Sequence, residues 1–153
     1  MKIFIVACGK IENSAYENLW QEYKKRLKWQ VKLIEINLKN SSSLSVEEYR
    51  NQEKKLILQY LPKDATIIVL DINGKDWSSD YFASKIEYFQ QSSIGEVVFL
   101  IGGAFGLDKD LCERANYRFS FGRITLPHLM ARIVLIEQIY RAQTIIEKHP
   151  YHK

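Results

Sequence analysis

Two runs in this chain, Thr66 to Leu70 and Val97 to Ile101, are β-branched or apolar at every position. A strand with one wet face alternates apolar and polar residues. A strand with no polar position needs cover on both faces, which is the place of a central strand in a parallel sheet sandwiched by helices. Lys2 to Ala7 and Val31 to Leu38 read as two more strands, and Tyr117 to Phe121 as a fifth.

Helical signals fill the gaps. Ser14 with Glu17 and Ser45 with Glu48 have the spacing of capping boxes. Tyr16, Leu19, Trp20, Tyr23 and Leu27 follow the first at helical spacing. The second opens a helix through Tyr49, Leu56, Ile57 and Tyr60 that closes near Pro62. Ser78 or Ser79 caps a third, carrying Tyr81, Phe82, Ile86 and Phe89, and a short helix is expected over 108–115. Between Lys39 and Ser43 the chain is small and polar, a loop. Asp71 to Lys75 reads as a turn in which Gly74 supplies positive φ. Alternation of strand and helix implies an α/β fold, a mainly parallel sheet with helices on both faces, in a single domain over 1–153.

A chain of 153 residues, 46% apolar and 26% charged, suits one ordinary globule. No apolar run approaches the roughly 18 residues that span a bilayer, so no membrane partner is expected. The N-terminal apolar run is too short for a secretory signal. Two cysteines, Cys8 and Cys112, without metal-type spacing fit buried thiols in a reducing cytoplasm. A net charge of +4 permits an anionic partner without requiring one. Lys24, Lys25, Arg26 and Lys28 on the first helix are either a solvated face or a phosphate-contacting one.

Ligands of open parallel sheets sit beyond the carboxyl ends of the strands. Three such ends stand out: Leu70-Asp71, Gly102-Gly103, and the turn from Gly122 to Leu126. The two glycines would let a ligand approach the backbone, while Leu70, Ile124 and Leu126 could wall a flat ring. A tight turn with no ligand explains the glycines equally well. Walker and dinucleotide patterns are missing, which argues against a small kinase or dehydrogenase.

After Pro127 comes a long helix whose apolar residues, from Leu129 to Ile146, cover nearly its whole circumference. One stripe suffices for a surface helix, so a second copy of the chain is the simplest further cover; burial within its own domain is the alternative. Glu137 and Arg141 are four apart and can pair. Arg132 has no partner at that spacing, which leaves it for an anion. Tyr151, His152 and Lys153 follow Pro150 as either a frayed end or an acid/base cluster.

Leu70-Asp71 with Gly74-Lys75, Ile101-Gly102-Gly103 with Gly106-Leu107, Thr125-Leu126-Pro127-His128, Arg132, Glu137, Tyr140-Arg141-Ala142 and Pro150-Tyr151-His152-Lys153 occur in one order and spacing. In these the chain resembles, over its whole length, the bacterial ribosomal RNA large subunit methyltransferase H family of the SPOUT class. The resemblance implies an α/β fold with a C-terminal trefoil knot, a rare topology. It implies S-adenosylmethionine as cofactor, held by Leu70, Gly102, Gly103, Phe121, Gly122, Arg123, Ile124, Thr125 and Leu126. It implies methylation at N3 of a pseudouridine in the helix 69 stem-loop of 23S rRNA, on the assembled 70S ribosome. The active form would be a homodimer joined through the C-terminal helix, with no metal and no DNA partner. Arg132, Tyr151 and His152 would be the catalytic residues, His152 or Tyr151 managing the imide proton and Arg132 steadying the anion, while His128 shapes its turn. One departure is Gly122, where the family commonly has serine. A non-catalytic ribosome-associated factor of the same fold is the rival reading.

Overall fold

Five strands lie side by side in the order β2-β1-β4-β3-β5, every neighbouring pair parallel, in a computed structural model of the chain. The structure describes all residues but Asn13, Lys39, Asn40 and Lys153. The first two residues of the expected 39–43 loop and the last cation of the tail therefore lie outside the described residues. The elements run β1 (Lys2–Cys8), α1 (Ala15–Arg26), β2 (Gln30–Ile36), a short 3-10 turn (Ser41–Ser43), α2 (Val46–Gln59), β3 (Thr66–Asp76), α3 (Ser79–Gln91), β4 (Glu96–Ile101), α4 (Lys109–Arg114), β5 (Tyr117–Ser120) and α5 (His128–Ile146).

Strand alternation divides the core in two. Ile3, Ile5, Ala7, Ile68, Val97, Phe99 and Ile101 point to the face covered by α1, α3 and α5. Val6, Cys8, Val69, Val98 and Leu100 point to the other face, against Ile57 of α2 and Leu111 and Cys112 of α4. Each fully buried Ile or Phe removes enough apolar surface to stabilise by about 1.5–3 kcal/mol. The uninterrupted apolar runs of β3 and β4 are thus explained: each has a packed layer on either side. Capping went as the serines implied. Ser45 and Glu48 form the complete reciprocal box of α2, and Ser14 and Ser78 each accept from the backbone N–H three residues on.

Two expectations change. Asp71 to Lys75 is not a turn ending the strand; β3 continues to Asp76. Its pairing with β5 slips, so that Phe119 faces both Leu70 and Lys75, and residues 71–74 leave the ladder between. Gly74 does not have positive φ. It is small because a methyl there would lie 2.8 Å from the backbone of Arg118 and Phe119. The second change concerns α5. Ten of its residues, from Ala131 to Thr144, are already buried within the chain. It lies between α1 and α3 and over β1 and β4. Its apolar circumference therefore does not itself require a second copy; the exposed apolar residues near its start are Met130 and, in the preceding turn, Ile124.

Candidate functional site

The slipped stretch of β3 over 70–73, the ends of β4 and β5 and the start of α5 line a cavity of about 880 Å³, within the range of small-molecule sites. Leu70, Ile101, Leu107, Ile124 and Leu126 give it apolar walls, and the turns after β4 and β5 give it backbone edges. Charged groups stand at the rim. Asp71 pairs with Arg118 and accepts from Asn73 N–H at 3.0 Å. Burial pushes its carboxyl up, but these partners outweigh burial and hold it below the usual range.

Of the residues expected to hold a cofactor, Leu70, Gly102, Gly103, Phe121, Gly122, Ile124, Thr125 and Leu126 all line this cavity; Arg123 does not. Of the two readings of the glycines, the packing bears out the tight turn. A methyl on Gly102 would lie 2.7 Å from Leu107 N, and one on Gly103 would lie 2.5 Å from the Tyr49 hydroxyl and 2.9 Å from Glu53 Oε1. Protein, rather than ligand, occupies the space a side chain would take. Gly122 adopts φ +99°, a conformation that disfavours L side chains. The Ser120 hydroxyl accepts from Gly122 N–H at 3.0 Å and donates to Gly122 O at 2.8 Å, closing the turn. Here the turn is built by a serine two residues earlier, so the serine missing at 122 is not needed for it. Phe119 anchors the same turn, stacking on Trp77 at 4.9 Å and meeting Phe121 edge-on at 4.8 Å.

Arg132, Tyr151 and His152 do not line the cavity. Arg132 lacks a partner on its own helix, as expected, but it is not free. Its side chain is fully buried, with Nη1 3.1 Å from Glu35 Oε1 and Nη2 donating to the carbonyls of Cys8 and Gly9. It ties α5 to the carboxyl end of β1. Tyr151 and His152 are docked rather than frayed. The Tyr151 hydroxyl lies 3.2 Å from Glu137 Oε1, its ring meets Tyr140 edge-on and the Arg141 guanidinium covers it at 4.9 Å. His152 Nε2 is 3.4 Å from Asp80 Oδ1. Burial, then a bond with Tyr23 and the charge of Glu137, push the Tyr151 phenol up, so it stays protonated near neutrality. Glu137 and Arg141 pair as their spacing suggested, at 2.7 Å. Because Glu137 stands nine residues after His128, the tail docks roughly 13 Å along α5 from the cavity end.

His128, expected only to shape its turn, lines the cavity. Its Nε2 would lie 3.3 Å from a methyl on Gly9. Burial, then the nearby Arg132 charge, lower its pKa and keep the imidazole neutral. Proximity to Pro127 at a helix start was the only sequence signal for this placement.

A family model described as a predicted SPOUT methyltransferase matches residues 1–152. The ribosomal RNA large subunit methyltransferase H of Halothermothrix orenii is 37% identical over 159 residues, covering 100% of both chains. A probable methylase family protein from Haemophilus influenzae Rd KW20 shares the fold, with TM-score 0.57 and 12% identity over 99% of this chain and 70% of that one.

Proposed function

The chain belongs to the SPOUT methyltransferase family, and on that premise we propose that it methylates N3 of a pseudouridine in helix 69 of 23S rRNA, as a cytoplasmic homodimer acting on the assembled 70S ribosome. The observation that carries this reading is the cavity beside the β3 slip and the ends of β4 and β5, lined by Leu70-Asp71, Ile101 to Gly103, Gly106-Leu107 and Thr125 to His128 of the family resemblance. Apolar walls with backbone edges suit an adenosine ring, and the rim charges suit an amino-acid head group. S-adenosylmethionine bound there supplies a methyl group on a sulfonium. Leu70, Gly102, Gly103, Phe121, Gly122, Thr125 and Leu126 would hold it. The return of α5 from the edge strand β5 to the middle of the sheet supports a trefoil knot in this segment, within a single domain.

An imide N–H is a poor nucleophile until its proton leaves, so a positioned base and a nearby cation are required. His152 or Tyr151 fills the proton role, the phenol in its protonated form only as a donor, and Arg141 lies against both. Arg132 contributes positive charge at the end of β1, next to His128. Since the tail docks away from the cavity of its own chain, the homodimer brings it to the cavity of the partner. Mass spectrometry of 23S rRNA from a strain lacking the protein should show one pseudouridine without its methyl group. An unchanged modification pattern would overturn the assignment.

RNA needs a basic face, and α1 supplies one only in part. Arg26 pairs with Glu22 at 2.5 Å and Lys28 with Glu147 at 2.8 Å. Lys24 and Lys25 are exposed and make no ion pair among the described residues. Changing both to alanine should weaken ribosome binding and lower its log–log salt slope by about 1–2. An unaltered slope would make this face merely solvated.

A further inference from the structure

Glu53 sits on the sheet-facing stripe of α2, one turn after Tyr49 and one turn before Ile57, and is fully buried. A helix normally carries an aliphatic residue at such a position, because an ionisable group buried without partners is costly. Its Oε1 accepts two hydrogen bonds, from Cys8 Sγ at 2.6 Å and from Gly103 N–H at 2.9 Å. The Tyr49 hydroxyl bonds to Cys8 in turn. Glu53 Oε2 is buried without a partner among the described residues. Burial pushes the Glu53 carboxyl up against the pull of its two donors. Burial and Glu53 together push the Cys8 thiol up to about 12. Both groups are held toward their neutral forms, as a dry interior requires.

The neighbours of Glu53 on α2 reach the same loop. Arg50 donates to Phe105 O through Nε at 3.0 Å and Nη2 at 2.6 Å. Tyr49 meets the Phe105 ring edge-on at 5.1 Å. Lys54 pairs with Asp108 at 2.9 Å and also with Asp110. One helix thus grips the loop after β4 from behind, at Gly103, Phe105 and Asp108. The Glu53 bond is the first of these along the loop and holds a backbone N–H, while Arg50 and Phe105 also line the cavity.

We infer that Glu53 is a positioning residue for the cofactor site, fixing the wall from Gly102 to Leu107 by accepting the Gly103 N–H. The inference rests on reading the cavity as the S-adenosylmethionine site. A binding wall must be held to a fraction of an ångström to keep its affinity, and a buried acceptor on a helix does so better than the loop alone. A carbonyl at position 53 should suffice; the negative charge should not matter.

Four chains decide this: the native protein, Glu53→Gln, Glu53→Asp and Glu53→Ala. Amide exchange is followed without cofactor, and S-adenosylmethionine binding by calorimetry. Glu53→Asp and Glu53→Ala should speed exchange of residues 103–107 about tenfold, leave β2 unchanged, and raise Kd about tenfold. Glu53→Gln should stay within about threefold of native in both. Should Glu53→Ala fail to fold, Glu53→Asp, which shortens the reach while keeping the acid, carries the comparison. Native exchange and native Kd in the Asp variant would make Glu53 mere packing and overturn the inference. Equal damage from Gln and Asp would overturn it too, since the acceptor would then not be what matters. Faster loop exchange in a protein that never binds S-adenosylmethionine would uphold the positioning and remove the cofactor reading instead.

Discussion

Changing Arg132 to methionine should lower stability by about 3–5 kcal/mol, with a fall in melting temperature of roughly 10 °C. Methionine matches the length and most of the volume of arginine, so little of this is cavity formation. The loss arises from what Arg132 leaves behind: two carbonyls at the end of β1 and the half-buried carboxylate of Glu35. Glu35 also accepts from Ile11 N–H at 2.6 Å, so the loop after β1 depends on the same pair. Lysine at 132 should recover part of the loss, because it keeps the charge but cannot reach three acceptors at once. Chemical denaturation with a methylation assay on the folded fraction separates structure from chemistry. A methionine variant of native stability that no longer methylates RNA would assign Arg132 to the substrate anion. A destabilised variant with native activity when folded would confine it to structure.

The second large effect is expected at the tail. His152→Ala, or a chain ending at Pro150, should slow single-turnover methyl transfer by 10²–10⁴-fold while leaving S-adenosylmethionine affinity within about twofold. The split follows from the geometry: among the described residues the tail touches Tyr23, Asp80, Glu137, Tyr140 and Arg141, none of which lines the cavity. Tyr151→Phe should do less harm if the histidine manages the proton. Mixing the tail variant with Gly102→Val, whose added side chain must collide with the Leu107 backbone, gives dimers with one intact pairing of tail and cavity. Partial recovery of activity in the mixture is expected. No recovery would mean that each tail serves its own chain, whereas native activity of the tail variant alone would mean that the tail has no part in the chemistry.

The sheet could be read from the sequence because its signals are local. Apolar runs at 66–70 and 97–101, and serines three residues ahead of glutamates, depend only on near neighbours. The cavity turns were legible for the same reason, since glycines and prolines mark strand ends. What escaped was set by long-range packing. Glu35 and Arg132 are 97 residues apart, and helical spacing says nothing about such a pair. Sequence cannot choose between the two readings of the Gly102-Gly103 step, because Tyr49 and Glu53 stand behind it from 50 or so positions away. A signal for Glu53 did exist: an acidic residue on the apolar stripe between Tyr49 and Ile57 is out of place unless something nearby donates to it. Likewise α5 reads as a helix in need of a partner copy because α1 and α3 cannot be placed beside it from sequence alone.

The slip between β3 and β5 has a bearing on how such a chain can diversify. Pairing resumes at Lys75 as though nothing intervened, and the Asp71–Gly74 excursion hangs over the cavity mouth, tied at its base by Asp71 and Arg118. Length changes in a detour of this kind cost little closure entropy and leave the strands on either side in place. The detour is thus an adjustable brim. Descendants of this sequence can trim or extend it to reshape what enters, without renegotiating the core beneath.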